Sequence, residues 1–183
     1  ANKFGGRVVA HRRFGTAKWK IDEIQTKLID ELNSLPKGRC DLPDSLDLIS
    51  ARSEFYDHPT ALPIVENSSI KQDLHRRDFT INTLALRLDG SHFGELQDHW
   101  GGLKDLKKKS VKVLHSLSFV DDPTRMLRAV RFEQRFGFHI EKRTLQLMQE
   151  ARENLKQVSG NRIRHEFDLI FKEADPAKDL VRL

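Results

Sequence analysis

The amino-acid sequence predicts an α+β protein in two parts, a mixed set of strands over residues 1–115 and helices alone over 116–183. Three observations predict it. The first part breaks into short runs of β-branched and aromatic residues, separated by Gly, Pro and Asp-Gly, which is strand and turn chemistry. From Asp122 onward apolar residues recur every three or four positions, as they do on a helix that buries one face. Two clusters of charge run straight into apolar segments: Arg76-Arg77-Asp78-Phe79-Thr80-Ile81-Asn82, and Asp121-Asp122-Pro123-Thr124-Arg125 continuing to Arg128, Arg131 and Phe132.

Residues 4–20 open on a Gly pair and suit a turn with one or two strands, the better of them over 14–21. Ile21, Ile24, Leu28, Ile29 and Leu32 then predict an amphipathic helix over 22–34, stopped by Pro36, Gly38 and Pro43. A short strand over 46–50 carries one acid, Asp47. Residues 55–69 hold two prolines and no period, and read as an extended loop. Ser68 or Ser69 caps a short helix over 70–74, a strand follows over 84–88, and Asp89-Gly90 turns it into 93–96. Lys107, Lys108 and Lys109 form a solvated turn, with RNA contact as the second reading, before a strand over 111–114.

Asp122 ahead of Pro123 starts a helix, because an acceptor at the cap precedes a residue preset for the first turn. Met126, Leu127 and Val130 face inward, and Gly137 ends it. Two more helices follow. The first, over 142–155, buries Leu145, Met148, Ala151 and Leu155, and the second, over 161–171, buries Ile163, Phe167, Ile170 and Phe171. Pro176 ends the second, and another begins at 180–183.

Composition narrows the class. A chain of 183 residues is one domain or a domain and a half, and 32% charged against 38% hydrophobic residues describes a polar globular protein. A net charge of +5 and a pI near 9.4 lean toward a polyanionic partner, RNA foremost. The lone Cys40 forms no internal disulfide, no zinc-ligand spacing exists among one Cys and eight His, and no run approaches the ~20 apolar residues of a membrane span. With no signal-peptide pattern either, the cytosol is the default location. The chain starts at Ala rather than Met, which suggests a fragment, a processed chain or an incomplete start.

The two charged clusters carry the candidate chemistry. Arg77 presents a planar fork suited to phosphate oxygens, Asp78 can accept from ribose hydroxyls, and Asn82 can do either; the plain alternative is a local ion pair opening an element. Asp122 and Arg125, three residues apart on a first helical turn, complement an amino donor beside a ring-nitrogen acceptor. Adenine and cytosine share that edge, whereas guanine and uracil show a carbonyl beside a ring N–H. Arg128 and Arg131 either face a triphosphate or hold this helix in place. Asp47 is a weak catalytic candidate: an Asp on a strand can hold a divalent cation, and equally an edge strand carries a solvated or Arg52-paired Asp.

Together the clusters resemble the motifs RRDFTxNAxA and EDPxRxLRxxRF of the bacterial tRNA nucleotidyltransferase (CCA-adding) and poly(A) polymerase family. The segment Asp98-His99-Trp100-Gly101-Gly102-Leu103-Lys104-Asp105-Leu106 is similar to the family pattern D-P-F-G-G-L-x-D-L, with His99 and Trp100 in place of Pro and Phe. The resemblance spans about residues 14–171. It implies a polymerase-beta-like palm of mixed strands over 1–115, followed by a helical neck from 116. It also implies template-independent transfer from ATP or CTP to an RNA 3′ end, as in tRNA CCA, CC or A addition, with Asp122 and Arg125 as a protein template. Family members carry G-G-x-x-R-D and D-x-D ahead of these strands, acids that hold the Mg2+ ions. No D-x-D occurs among the 183 residues, so the palm is expected to be incomplete, completed by an upstream segment or a second chain. A non-catalytic nucleotide-sensing or RNA-binding module is the alternative.

Overall fold

The computed structural model describes residues 5–11, 15–33, 42–55 and 64–183. Its contacts divide the chain into two units, Ala1–Ala51 and Arg52–Leu183.

In the first unit β1 (Arg7–His11), β2 (Thr16–Lys20) and β3 (Ser45–Ile49) form an antiparallel sheet in the order β1-β2-β3. Thr16–Lys20 is the strand expected over 14–21; Phe14, Arg12 and Arg13 lie outside the described residues. Gly6 has φ 78°, and a Cβ there would meet the Lys20 carbonyl oxygen at 2.5 Å, so the turn ahead of β1 requires glycine. A short 3-10 turn, Asp22–Ile24, leads into α1 (Gln25–Asn33). Ile21, 2% exposed, is the buried apolar residue at that junction.

The second unit begins with β4 (Arg52–Phe55) paired antiparallel to β5 (Ile64–Asn67). Here the expected loop over 55–69 is corrected: its described end is a strand, because β4 supplies a hydrogen-bonding partner that no local pattern announces. Ser69 caps α2 (Ile70–His75) through a capping box with Gln72. A 3-10 turn, Thr80–Thr83, leads to the hairpin of β6 (Ala85–Leu86) and β7 (Leu96–Gln97), whose loop carries a second 3-10 turn, Gly90–His92. The hairpin was legible at Asp89-Gly90, but its regular pairing is shorter than 84–88.

Next comes α3 (Gly102–Lys107), a helix the pattern did not reveal. Asp98 holds its start, accepting from the Gly102 and Leu103 amides at 2.7 and 3.0 Å. β8 (Ser110–Val111) then precedes α4 (Ser118–Asp121) and α5 (Arg125–Phe136), which stops at Gly137 with φ 60°. A strand, β9 (His139–Ile140), interrupts what was expected to be helix alone, pairing parallel to β8. Two residues are too few to show a period. α6 (Lys142–Ala151), a 3-10 segment (Arg152–Gln157), α7 (Gly160–Ile170) and α8 (Pro176–Arg182) complete the unit. Pro176 starts α8 rather than only ending α7, as suits a residue without an N–H in a first turn, and Phe171, expected inside, is 58% exposed.

Phe79, Val111, Phe119, Met126, Val130 and Ile140 meet in one core. This core runs across residue 115, joining the Arg-Arg-Asp stretch to α5. Phe79 is fully buried and stands edge-on to Phe132 at 5.6 Å between centroids. Phe79→Ala is expected to destabilise this unit by about 3–5 kcal/mol, read by urea unfolding. A loss under about 1 kcal/mol would show that the core closes without it.

Candidate functional site

The core places the start of α5 against the segment that follows α2, and a lattice of charge fills the contact. Asp73, in α2, is 4% exposed and accepts from Arg76 (Nη2, 2.8 Å), Arg77 (Nη2, 3.1 Å) and the Arg52 amide (3.2 Å). Burial alone would raise its pKa, but the two arginine hydrogen bonds, the charge of Arg76 and the amide hold the carboxyl below its ordinary value. Arg77 keeps 43% of its side chain exposed.

Asp78 is 7% exposed and fully engaged. Its Oδ1 accepts from the Phe79 amide at 2.9 Å and from Asn82 at 2.6 Å, while Oδ2 accepts both Nε and Nη2 of Arg128, the former at 2.8 Å. Four donors exhaust what a carboxylate readily accepts. Asp78, Asn82 and Arg128 therefore form one cluster, tying the Arg-Arg-Asp stretch to α5.

Arg125 makes a second tie. It is 7% exposed and donates from Nη1 to Ser118 Oγ at 2.7 Å and from Nη2 to the Arg76 carbonyl at 2.9 Å. Asp122 stands at the turn between α4 and α5, where Oδ1 accepts from the Thr124 amide (3.0 Å), the Thr124 hydroxyl (2.6 Å) and Arg162 Nη2 of α7 (2.8 Å). Among the described residues none donates to Oδ2, and the side chain is 21% exposed. Farther along α5, Arg131 is nearly buried beside Glu166 (3.9 Å) and Glu173 (3.5 Å), and stacks over Phe132. Burial raises the pKa of Glu166, against the pull of Arg128 and Arg131.

All seven candidates lie in the second unit, but they do not form one cluster: Asp78, Asn82, Arg125 and Arg128 join α5 to the Arg-Arg-Asp stretch and Arg77 pairs with Asp73, whereas Asp122 meets Arg162 of α7 and Arg131 meets Glu166 of α7 and Glu173. Asp47 belongs to the first unit, on the edge strand β3, where it is 61% exposed and paired with Lys18 across the strands at 3.4 Å. Sequence reasoning missed Arg162 and Glu166. The available signal was charge at positions four apart on α7, sharing the helix with the inward Ile163 and Ile170.

The chain belongs to the poly A polymerase head domain family, whose model matches residues 10–112, and residues 137–183 match the model described as the probable RNA and SrmB-binding site of polymerase A. It is 44% identical to the A-adding tRNA nucleotidyltransferase of Geobacter sulfurreducens, over all of this chain and 19% of that protein. Among solved structures it is similar to a CCA-adding enzyme in apo form (TM-score 0.82, 41% identity, 99% of this chain, 39% of the other). It is also similar to a CCA-adding enzyme in complex with ATP (0.75, 40%, 99% and 36%). The chain spans well under half the length of these relatives.

Two outcomes follow from the lattice. Arg128→Ala leaves Asp78 buried without its cation and is expected to cost about 3–5 kcal/mol in urea unfolding; a cost below about 1 kcal/mol would show that Asn82 and the amide suffice. Asp73 has a depressed folded-state pKa, so its stabilising contribution is full above the ordinary value of 3.8 and is lost as pH falls through the folded value. The stability gap between the parent and Asp73→Asn should therefore close as pH drops below 3.8. A gap independent of pH would show that the pair contributes nothing through charge.

Proposed function

We propose that this chain carries the nucleotide-recognition part of a template-independent nucleotidyltransferase that adds A or C from ATP or CTP to a tRNA 3′ end. The observation that carries it is the turn before α5, where Asp122 is held from one side by Thr124 and Arg162 while Oδ2 receives no donor within the described residues. A directed carboxylate oxygen accepts an exocyclic amino group, and with a guanidinium donor on the neighbouring ring nitrogen it matches adenine and cytosine, whereas guanine and uracil bring a carbonyl and a ring N–H to those positions. The ATP complex of one structural relative and the A-adding activity in the name of another support the reading.

Arg125 is the expected second reader. In this structure Nη1 serves Ser118 and Nη2 the Arg76 carbonyl, which fixes the guanidinium while leaving further N–H groups of its five for a ring nitrogen. Arg77, half open to solvent, supplies phosphate recognition. Arg128 and Arg131 hold the helix, since their guanidinium groups sit against Asp78, Glu166 and Glu173. In this division of labour residues 116–183 act as the helical neck and 1–115 as palm, supported by the separate family matches. A cytoplasmic location accords with tRNA as substrate.

Magnesium is the expected cofactor of such transfer, but the described residues do not fit a metal site. They hold no group of three or more His, Cys, Asp or Glu side chains able to bind an ion, and Asp47 is exposed and paired with Lys18. No catalytic step is assigned to them.

Calorimetry with the four ribonucleoside triphosphates tests the reading. ATP and CTP should bind more tightly than GTP and UTP, Asp122→Ala should erode that preference, and Arg77→Ala should weaken all four alike. Equal affinities in the parent would reduce Asp122 to a turn residue worth about 1 kcal/mol of stability.

A further inference from the structure

Beside the junction lies a row of rings that the charge lattice does not use. His75 closes α2, Trp100 precedes α3 and His115 precedes α4, and their rings meet although 25 and 15 residues separate them along the chain. His99 stands edge-on to Trp100 at 5.4 Å, Trp100 lies 5.4 Å from His75 at 42°, and His75 stacks on His115 at 5.7 Å and 24°. His75 and His99 are exposed, while Trp100 and His115 are half-buried.

The row is built on fixed backbone. Asp98 anchors the loop of Trp100 to the start of α3, and Gly102 presses so closely on the 3-10 turn after the Arg-Arg-Asp stretch that a Cβ would meet the Thr80 carbonyl oxygen at 2.3 Å. His115 accepts from the Ser118 amide through its carbonyl, at the start of the segment that holds Arg125. Burial pushes its imidazole toward the neutral form, against Asp121 at 3.9 Å, and Arg125 and His75 push the same way as burial. A neutral imidazole is a flat aromatic face.

Two of the four rings, His99 and Trp100, are where the sequence departs from the Pro-Phe of the family pattern. Unpaired RNA bases are bound by flat rings of this kind. The geometry points to the His99-Trp100-His75-His115 row as a stacking platform for an unpaired base of the RNA acceptor. This rests on the function proposed above, and it assigns a place to the RNA end rather than to the incoming nucleotide.

Trp100 reports on its own site once Trp19, the other tryptophan, is changed to Phe. In the Trp19→Phe chain, a single-stranded RNA hexamer ending in CC should quench Trp100 fluorescence saturably. The same hexamer with abasic 3′ positions should bind about tenfold more weakly. His75→Ala should cost a similar factor with the intact hexamer only, and His75→Phe should restore it. Equal affinity for intact and abasic RNA, absence of quenching, or indifference to His75→Ala would each overturn the platform. ATP titrated into the same proteins separates the two claims: ATP binding that persists when the RNA result fails leaves the nucleotide reading standing. RNA quenching without ATP binding supports the platform and counts against that reading.

Discussion

The bond between Asp78 and Arg128 is the constraint on which the rest of the second unit depends. Fifty residues apart, they join the segment after α2 to the start of α5 through two guanidinium N–H groups that converge on one carboxylate oxygen. A buried carboxylate is costly without such a partner, so the fold that buries Phe79 beside it must also deliver Arg128. The converse also holds. Because Phe79 is adjacent in sequence and its amide donates to Asp78, the packing of the aromatic ring and the pairing of the carboxylate form together. Lysine would bring a compact point charge in place of the two N–H groups that meet this oxygen.

How much of this was legible in the sequence varied with the range of the interaction. Elements with their own period or cap were legible: α5 with its inward Met126, Leu127 and Val130, α2 behind Ser69, and the turn at Asp89-Gly90. Elements defined by a distant partner were not. β5 exists because β4 lies opposite, β9 because β8 does, and α3 because Asp98 reaches forward to two amides. The candidate site divides the same way. Residue types and spacing singled out Asp78, Asp122 and the arginines of α5, but spacing cannot tell which guanidinium faces which carboxylate. The structure pairs Asp78 with Arg128 and Asp122 with Arg162, an assignment made by the packing of α5 and α7.

Beneath α5 the charge continues inward rather than thinning out. Arg131, Glu166, Glu173 and Asp179 are all largely withdrawn from solvent, and burial raises the pKa of both Glu166 and Asp179. Hydrophobic residues of the same volume would commonly serve stability as well or better, so this network is not explained by stability alone. Its geometric effect is plain. Arg131 is gripped from α7 and from the segment after it, Arg182 of α8 reaches Glu133 of α5 at 2.6 Å, and Glu133 also accepts from the Ile140 amide at 2.9 Å. α5 is thereby tied to its neighbours at Arg128, Arg131 and Glu133.

In the proposed function, that fixity bears on how the turn before α5 discriminates between bases. A carboxylate free to rotate accommodates an amino group or turns away from a carbonyl, and the difference between the two bases then shrinks to the cost of one rotamer. Asp122 lacks that freedom, because Thr124 and Arg162 occupy Oδ1 and set the direction of Oδ2. A mismatched carbonyl brought against it meets repulsion that no side-chain rotation relieves without breaking three hydrogen bonds. Selectivity at such a position comes less from the strength of the favourable contact than from the rigidity that makes the unfavourable one unavoidable. In the proposed function, the network of Arg131, Glu166 and Glu173, which stability alone does not explain, helps to hold the helix that follows this turn.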